Sequence, residues 1–391
     1  MCGKALDGNL LLCPDTQDLS AYWEQIEKGP LQPWIQRMAK TPQESKWHGE
    51  GDVWTHTRMV CEELLKIPAY RVLPQNERDI LFAAALLHDV AKPACTMISE
   101  GEIITPRHTV IGERLVRTIL WTEFDMCGTR EKQQFREAVC ALVRYHSVPL
   151  HLVDQHDPIL KLRKIATIGT LVPHFTLLRL SLLVEADIRG RISQDKNALL
   201  ESLSFFTDSA SELGCLNRPP VYASPYCRYA VLNGRNVQPE QELFDDTWGP
   251  IIMLSGLPGT GKDTYIRQNL ADLPMISLDD LRFQLCIRPE RPQGIVIAHA
   301  RALAREYLRK KQVFVWNATN TTPYTRENQV HLFNAYGAAT KIIYLETNLQ
   351  EMFARNRQRS APVPESVIEH LLESLSPPTD SEAYSVEWIC N

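Results

Sequence analysis

Histidine and aspartate residues recur through the first half of the sequence at positions that could bind metal ions. The adjacent pair His88 and Asp89 follows an apolar run at residues 80–87. Such a pair at the end of a buried helix can offer an imidazole nitrogen and a carboxylate oxygen to one divalent ion. His56 and Asp187 complete the set, so we predict that these four residues hold a metal ion.

A second metal ion in the same site would need further ligands. His108 opens the segment His-Thr-Val-Ile-Gly, and His146 directly follows a run with helical periodicity. These two are the natural candidates. His151 and His156 are rivals for the role of His146, and spacing alone does not dismiss them. Two other histidines are expected to be structural, His48 and His174.

A glycine-rich motif follows the apolar run 251–254 in the second half of the sequence. It reads G-x-x-x-x-G-K and opens a helical pattern. Glycines let backbone N–H groups close around a polyphosphate, the helix N-terminus attracts negative charge, and the lysine reaches the outer phosphates. We predict that a nucleoside triphosphate with Mg²⁺ binds at Gly256, Leu257, Pro258, Gly259, Thr260, Gly261, Lys262, Asp263 and Thr264.

The residue after the lysine departs from the general motif. Asp263 stands where Ser or Thr usually holds Mg²⁺, and Thr264 lies one place late. Because Mg²⁺ prefers oxygen ligands and keeps several waters, Asp263 could bind it directly or through water. A cap on the following helix is the alternative role for this carboxylate.

Charged residues that could complete a phosphoryl-transfer site lie downstream. Asp279 and Arg282 stand where a second strand should end, so a carboxylate could accept a hydroxyl proton there and an arginine could neutralise a phosphate. Residues 317–320 follow a third strand-like run. Three alternating arginines then precede a helix expected near Pro364, and we interpret them as a lid: Arg355, Arg357 and Arg359.

The periodicity of the sequence divides it into two structural classes. Apolar residues spaced by three and four predict an all-α region over residues 19–214. Strand-like runs at 251–254, 313–316 and 341–345 alternate with helical patterns and predict a parallel α/β sheet. We expect a helical domain at residues 1–213, a proline-rich connector at 214–249 with a short strand near 229–232, and an α/β domain at 250–391.

The composition limits the class of protein further. No apolar run is long enough to cross a bilayer, the first residues make no convincing signal peptide, and the ten cysteines form no C-x-x-C pair. We therefore expect a cytoplasmic protein.

A net charge of −5 argues against a uniformly basic nucleic-acid surface, so any contacts with nucleic acid should be local. The best candidate for such a contact is the run Arg301, Arg305, Arg309, Lys310 and Lys311. An ordinary solvated helix face is the alternative explanation of this run.

The second half resembles the 5′-OH polynucleotide kinases of phage and bacterial RNA repair. The resemblance is carried by G-x-P-G-x-G-K, the D-D-x-R block and the R-N-x-x-R lid. It implies that Lys262 clamps the phosphates, Asp279 is the general base and Arg282 contacts the acceptor's 3′ phosphate. Arg359, with Arg355, would stabilise transition-state charge. Where the phage enzyme has Asp-Thr-Asn, this chain has Ala318-Thr319-Asn320.

The first half resembles the HD phosphohydrolase superfamily, and its segment W-H-G-E-G-D-x-x-x-H is similar to the opening motif of HD domains attached to bacterial tRNA nucleotidyltransferases. The whole chain looks like the bifunctional bacterial HD-Pnk end-healing enzymes. That resemblance implies two divalent ions such as Mn²⁺, Co²⁺, Ni²⁺, Cu²⁺ or Zn²⁺. It also implies a phosphoesterase site formed by His56, His88, Asp89, Lys92, His108, His146, Asp187 and Arg191.

Together the two halves would convert a 2′,3′-cyclic phosphate and a 5′-OH into the 3′-OH and 5′-phosphate that a ligase can seal. The expected partners are RNA or DNA ends, a nucleoside triphosphate and a separate RNA ligase, with no membrane. Two alternatives remain open: an HD hydrolase of small signalling nucleotides with an ATP-sensing phosphate loop, and a kinase of a small metabolite.

Overall fold

A computed structural model describes residues 8–16, 18–287, 291–359 and 361–391. The chain forms two compact units. The first comprises Met1–Met126 with Glu131–Pro220, and the second comprises Cys127–Arg130 with Val221–Asn391. In the described part of the chain, no helix is long and apolar enough to cross a membrane.

The first unit is helical, as the periodicity predicts, with one small antiparallel hairpin of β1 (Met97–Ser99) and β2 (Glu102–Ile104). Its α-helices are α1 Ser20–Ile26, α2 Gln32–Met38, α3 Val53–Leu64, α4 Pro68–Arg71, α5 Gln75–Leu87, α6 Lys92–Cys95, α7 His108–Thr122, α8 Arg130–Tyr145, α9 Pro158–Thr167, α10 Leu177–Gly190 and α11 Lys196–Glu212.

The centre of the helical unit is α5, which packs against α3 and α10. Every residue from position 79 to 87 is buried, because this helix is apolar on all sides and lies inside the core. Asp52 caps α3 by accepting a hydrogen bond from the Thr55 N–H at 2.9 Å. Gly190 lets α10 approach α3 closely, since a Cβ at that position would lie 2.8 Å from the backbone nitrogen of Val60.

The second unit contains a five-stranded parallel sheet with strand order β4-β5-β3-β6-β7. Its strands are β3 Trp248–Ser255, β4 Met275–Ser277, β5 Val315–Asn317, β6 Ala338–Glu346 and β7 Ser385–Cys390, and its helices are α12 Pro225–Leu232, α13 Lys262–Asn269, α14 Leu278–Gln284, α15 Gly294–Arg309, α16 Pro323–Asn334, α17 Leu349–Arg357 and α18 Glu365–Glu373. Strands β5 and β6 are almost continuously buried, and β3 is buried from Ile251 to Ser255. The α/β fold predicted for this half is therefore confirmed.

One local prediction is wrong. The short strand expected at residues 229–232 is part of helix α12. Ser224 caps that helix by accepting a hydrogen bond from the Cys227 N–H at 3.0 Å, and Pro225 occupies the first helical turn. A serine followed by proline is a helix-start signal, and it outweighs the strand propensity of a four-residue apolar run.

Candidate functional site

Three helices of the first unit bring the predicted metal ligands together. His56 lies on α3, His88 and Asp89 directly follow α5, and Asp187 lies near the end of α10. His56 Nε2 is 3.0 Å from Asp187 Oδ1 and 3.8 Å from Asp89 Oδ2, and His88 Nε2 is 3.2 Å from Asp89 Oδ2. One nitrogen or oxygen atom each of His56, His88 and Asp187 lies within 4.8 Å of the others.

A second group of ligand atoms meets the other carboxylate oxygen of Asp89. His108 Nε2 lies 3.8 Å and His146 Nε2 3.9 Å from Asp89 Oδ1, and the two imidazole nitrogens are 3.4 Å apart. The two rivals of His146 are exposed residues outside this group: His151, which pairs with Asp154, and His156. The structure therefore brings together the histidines that the sequence favoured.

Two buried atoms of this group fit a bound cation because they make no hydrogen bond. Within the described part of the chain, His88 Nε2 and Asp89 Oδ1 are buried and make no hydrogen bond. The Nδ1 nitrogens of three of these histidines are hydrogen-bonded to backbone carbonyl oxygens: His88 to Ala85, His108 to Thr105 and His146 to Val143. Those bonds fix the Nε2 atoms towards Asp89, as is usual for metal-binding histidines.

Two cations flank the ligand group. Lys92 Nζ lies 2.6 Å from Asp89 Oδ2 and donates to Gln43 Oε1 at 2.7 Å. Arg191 Nη2 donates to Asp187 Oδ2 at 2.6 Å. Both of these predicted site residues therefore lie beside carboxylates of predicted metal ligands, where they could also offset the charge of a phosphate.

The charges of the site keep its carboxylates ionised. Burial alone would raise the pKa of Asp89, but the charges of His88 and Lys92 hold it well below its usual range. Burial would likewise raise the pKa of Asp187, and Arg191 with His56 outweighs that effect and lowers it. Burial, with the neighbouring His88 and His108, lowers the pKa of His146 to about 3, so that imidazole is neutral.

Sequence reasoning missed the role of Glu50. Its Oε1 atom lies 2.8 Å from both His48 Nδ1 and His56 Nδ1, and its Oε2 atom accepts from the Ile192 N–H at 2.9 Å. Despite burial, those hydrogen bonds hold the pKa of Glu50 far below its usual value. Glu50 therefore joins the segment before α3 to the chain after Arg191. The only signal in the sequence was its place inside the W-H-G-E-G-D motif.

The glycine-rich motif forms a loop between β3 and α13. Gly256, Gly259 and Gly261 have positive φ angles of 145°, 86° and 93°. A Cβ at Gly256 would lie 2.5 Å from the carbonyl oxygen of Leu345, and one at Gly259 would lie 2.4 Å from that of Met352. Side chains are therefore excluded at both positions, which leaves the backbone free to close around phosphates.

Lys262 lies at the start of α13 with its ammonium group turned to the loop. Its Nζ atom donates to the carbonyl oxygens of Gly256 and Leu257, both at 2.8 Å. Burial lowers the pKa of Lys262 to about 8, although the neighbouring Asp263 and Asp279 oppose that change. A phosphate would replace the carbonyl contacts with a charge-assisted bond.

The Asp263 carboxylate is exposed and makes a contact outside its own helix. Its Oδ1 atom accepts a hydrogen bond from Asn317 Nδ2, at the end of β5, at 2.9 Å. The N-cap of α13 is Gly261, and no side chain caps that helix end among the described residues. This geometry favours the metal role over the capping role.

Asp279 lies between two arginines at the edge of the sheet. Arg282 Nη1 donates to its Oδ1 atom at 2.5 Å, and Arg359 Nη2 donates to its Oδ2 atom at 3.0 Å. Burial would raise the pKa of Asp279, but Arg282, Arg359 and Lys262 together lower it. The structure thus brings together the predicted general base, acceptor arginine and lid arginine.

The other lid arginines differ from one another. Arg355 pairs with Glu351, and a Cβ at Gly261 would lie 3.4 Å from its Nη1 atom, so this guanidinium lies near the phosphate loop. Arg357 donates to Glu365 Oε1 at 2.8 Å and is mostly exposed. Arg357 is therefore the member of the lid that the structure does not bring to the site.

Residues 317–320 support the loop through their backbone and amide groups. The Gly256 N–H donates to the Thr319 carbonyl oxygen at 2.9 Å, and Asn320 Nδ2 donates to that of Leu254 at 2.7 Å.

The arginines of the predicted nucleic-acid contact lie on α15. Arg301 and Arg305 are half-buried beside the packed face of this helix, and Arg309 is exposed.

Comparisons with known proteins give a separate domain match in each half of the chain. Residues 52–166 match the model described as HD domain, and residues 251–378 match the model described as AAA domain. The chain is also 29% identical over 164 residues to the Multifunctional CCA protein of Stenotrophomonas maltophilia (strain R551-3). The matched segment covers 42% of this chain and 36% of that protein. The Multifunctional CCA protein of Vibrio cholerae serotype O1 (strain M66-2) is 26% identical over 186 residues, or 46% and 41% of the two chains.

The chain therefore spans about two fifths of the length of these relatives, and neither domain match reaches half of the chain. The two matches support a nucleotide-related enzyme with hydrolase and kinase-type domains. The protein thus contains a helical domain that matches the HD model at residues 52–166, followed by an α/β domain with a five-stranded parallel sheet, whose fold is consistent with that of P-loop kinases.

Proposed function

We propose that this protein heals broken nucleic-acid ends. The HD domain hydrolyses 2′,3′-cyclic phosphate and 2′- or 3′-phosphate ends, and the P-loop domain transfers the γ-phosphate of a nucleoside triphosphate to a 5′-OH end. The observation that carries the proposal is the position of Asp279, held by Arg282 and Arg359 in the electrostatic reach of Lys262. A carboxylate in this position could accept a hydroxyl proton, a role that a domain that only binds ATP does not need.

In the kinase reaction, Lys262 would hold the outer phosphates while Asp279 accepts the proton of the incoming 5′-OH. The arginines would leave Asp279 as substrates bind, since an acceptor phosphate suits Arg282 and the transferring phosphoryl group suits Arg359. Arg355, near the phosphate loop, could share the second role. Asp263 would hold Mg²⁺ from the loop side.

In the phosphoesterase reaction, the ligands would be His56, His88, Asp89, His108, His146 and Asp187. Divalent ions bound there would lower the pKa of a water molecule and polarise a phosphate oxygen. Lys92 and Arg191 would bind the remaining phosphate charge. The bonds from Nδ1 of His88, His108 and His146 to backbone carbonyls would keep those three rings oriented through the reaction.

The two activities fit one task because cleavage of RNA through its 2′-OH leaves a 2′,3′-cyclic phosphate and a 5′-OH. Both ends must be changed before a ligase can join them. A single chain that carries both domains keeps the second activity near the break. We expect a separate RNA ligase to seal the healed ends.

The kinase half of the proposal is tested with [γ-³²P]ATP, Mg²⁺ and an oligonucleotide that has a 5′-OH. We expect label on the oligonucleotide with the wild type, and a loss of at least 100-fold with Asp279→Asn. Asp280→Asn is the matched control, since it removes the adjacent exposed carboxylate of the same helix.

The alternatives give different results in the same assay. A nucleotide sensor would bind ATP and transfer no phosphate to any acceptor. A small-metabolite kinase would leave RNA and DNA oligonucleotides unlabelled. Either result with folded wild-type protein would overturn the proposed kinase activity.

A further inference from the structure

A cleft of about 520 Å³ in the helical domain is lined by two segments that adjoin His48 and Arg191 in the sequence. Its two walls are residues 45–47 and residues 192–195. The first wall leads directly into the His48 to Glu50 segment, and the second begins one residue after Arg191. The walls are joined at the base, because the Gly49 N–H donates to the Ile192 carbonyl oxygen and the Ile192 N–H donates to Glu50 Oε2, both at 2.9 Å.

The cleft offers an aromatic face and a cation at the same end. The Trp47 side chain is 40% exposed, although tryptophan is usually well buried. The Lys46 ammonium lies 4.4 Å from the centre of its ring. Ile192, on the opposite wall, is 55% exposed and adds apolar surface. Because the Lys46 ammonium lies over the ring, a flat base would stack on the other face of the indole, with a neighbouring phosphate near the cation.

The second wall also carries polar atoms that make no hydrogen bond. Within the described part of the chain, Ser193 Oγ and Asp195 Oδ1 are buried and make no hydrogen bond. Buried polar atoms are costly unless they are satisfied, so these two favour a ligand with its own hydrogen-bonding groups. A purely apolar ligand would leave both unpaired.

We propose that this cleft binds the nucleoside that carries the phosphate hydrolysed by the HD site, with its base stacked on Trp47. The inference rests on the proposed function, since it assumes that the phosphate lies beside Arg191. The cleft has the volume typical of small-molecule sites, about 300–1,000 Å³. Trp47 stacks the base, Ser193 and Asp195 bond its polar edge or the ribose, and Lys46 contacts the next phosphate of a longer chain.

The test compares kcat/KM for three substrates: a nucleoside 2′,3′-cyclic monophosphate, an oligonucleotide that ends in one, and ribose 2′,3′-cyclic phosphate without a base. Base–aromatic stacking predicts that Trp47→Ala lowers kcat/KM about 5- to 150-fold for the first two substrates, mainly through KM. The baseless ribose should be hydrolysed by Trp47→Ala and wild type at the same rate. Trp47→Phe, which keeps an aromatic ring, should retain most of the wild-type kcat/KM for the two nucleotide substrates.

The matched control is Trp34→Ala, which removes a half-buried tryptophan from a different cleft of the same domain. We expect wild-type kcat/KM for all three substrates with this variant. Lys46→Ala should weaken only the oligonucleotide, because a mononucleotide has no second phosphate to contact. The two nucleotide substrates thus separate a free nucleotide from a chain end as the ligand.

Three results would overturn the inference: wild-type kcat/KM for both nucleotides with Trp47→Ala, an equal loss for the baseless ribose, or an equal loss with Trp34→Ala. Failure of the proposed function has a different signature. In that case, wild type would hydrolyse the mononucleotide in a Trp47-dependent manner and leave oligonucleotide ends intact.

Discussion

His56 Nε2 lies 3.0 Å from Asp187 Oδ1, although 131 positions separate the two residues in the sequence. The contact joins α3 to α10 where Gly190 allows their backbones to approach closely. Because the ligands come from distant parts of the chain, the site exists only in the folded domain. Metal binding and folding of the HD domain should therefore be coupled.

The ligand chemistry predicts that the two domains need different metals. Imidazole ligands such as His56, His88 and His108, together with the carboxylates of Asp89 and Asp187, favour Mn²⁺, Fe²⁺, Co²⁺, Ni²⁺, Cu²⁺ or Zn²⁺. An all-oxygen kinase site favours Mg²⁺. Protein stripped of transition metals should keep its kinase activity with Mg²⁺ and lose its phosphoesterase activity until a transition metal is added. A full phosphoesterase rate with Mg²⁺ alone would show that the ligand assignment is wrong.

Glu50 should position His56 without binding substrate. Glutamine has one acceptor oxygen, so Glu50→Gln cannot keep the contacts with His48, His56 and the Ile192 N–H. Loss of such support usually lowers metal affinity about 10- to 100-fold. We expect that loss in a metal titration, with phosphoesterase activity recovered at high metal concentration.

Glu44→Gln is the control for this prediction, because Glu44 also accepts a backbone N–H, that of Ile103. It should leave metal affinity unchanged. Equal metal affinities for Glu50→Gln and wild type would rule out the positioning role.

Nucleotide binding should depend on the ionisation of Lys262. Burial lowers its pKa to about 8 in the nucleotide-free protein, and only the ammonium form carries charge to the phosphates. ATP affinity should therefore fall as pH rises through about 8, by up to about tenfold per pH unit above it. Calorimetric titrations at pH 7.5 and 9.5 measure the difference.

Lys262→Arg provides the comparison for the pH prediction, since a guanidinium stays charged over this range. Whatever affinity that variant retains should change little between the two pH values. The ionisation argument fails if wild-type affinity is the same at both.

Asp263 should affect the Mg²⁺ requirement more than stability. Its carboxylate bonds Asn317 and makes no cap on α13 among the described contacts. Asp263→Ala should raise the Mg²⁺ concentration needed for half-maximal kinase rate, and Asp263→Ser should partly restore it, because a hydroxyl is the usual ligand there. A helix cap would instead cost about 1 kcal/mol of stability on Asp263→Ala. An Asp263→Ala Mg²⁺ titration that overlays wild type would exclude the metal role.

Much of this architecture could be predicted because its signals are local. The apolar run before His88 is long enough to indicate a buried helix, and the strand before Gly256 leads into a glycine pattern that few other structures require. Asp279, Arg282 and Arg359 could be grouped from their order after the phosphate loop, whereas their individual roles came from the family resemblance. Their spatial proximity depends on how strands and helices return to one edge of the sheet.

Other features could not be predicted from short-range patterns. The run Tyr-Ala-Val-Leu has strand propensity, yet it belongs to helix α12, which begins at the capping signal of Ser224 and Pro225. The role of Glu50 depends on a contact with Ile192, 142 positions away. The pairing of Asp263 with Asn317 likewise needs β5 beside β3, which is a property of the tertiary structure.

The central claim is that one chain changes both ends of a break at two separate sites. The most direct measurement is mass spectrometry of one RNA that carries a 5′-OH and a 2′,3′-cyclic phosphate, after incubation with ATP, Mg²⁺ and Mn²⁺. Wild type should yield the 5′-phosphate, 3′-OH product. Lys262→Ala should yield a 5′-OH, 3′-OH product, and Asp187→Ala a 5′-phosphate with the cyclic end intact. Loss of both changes in either folded variant, or an RNA left unaltered by wild type, would contradict the account.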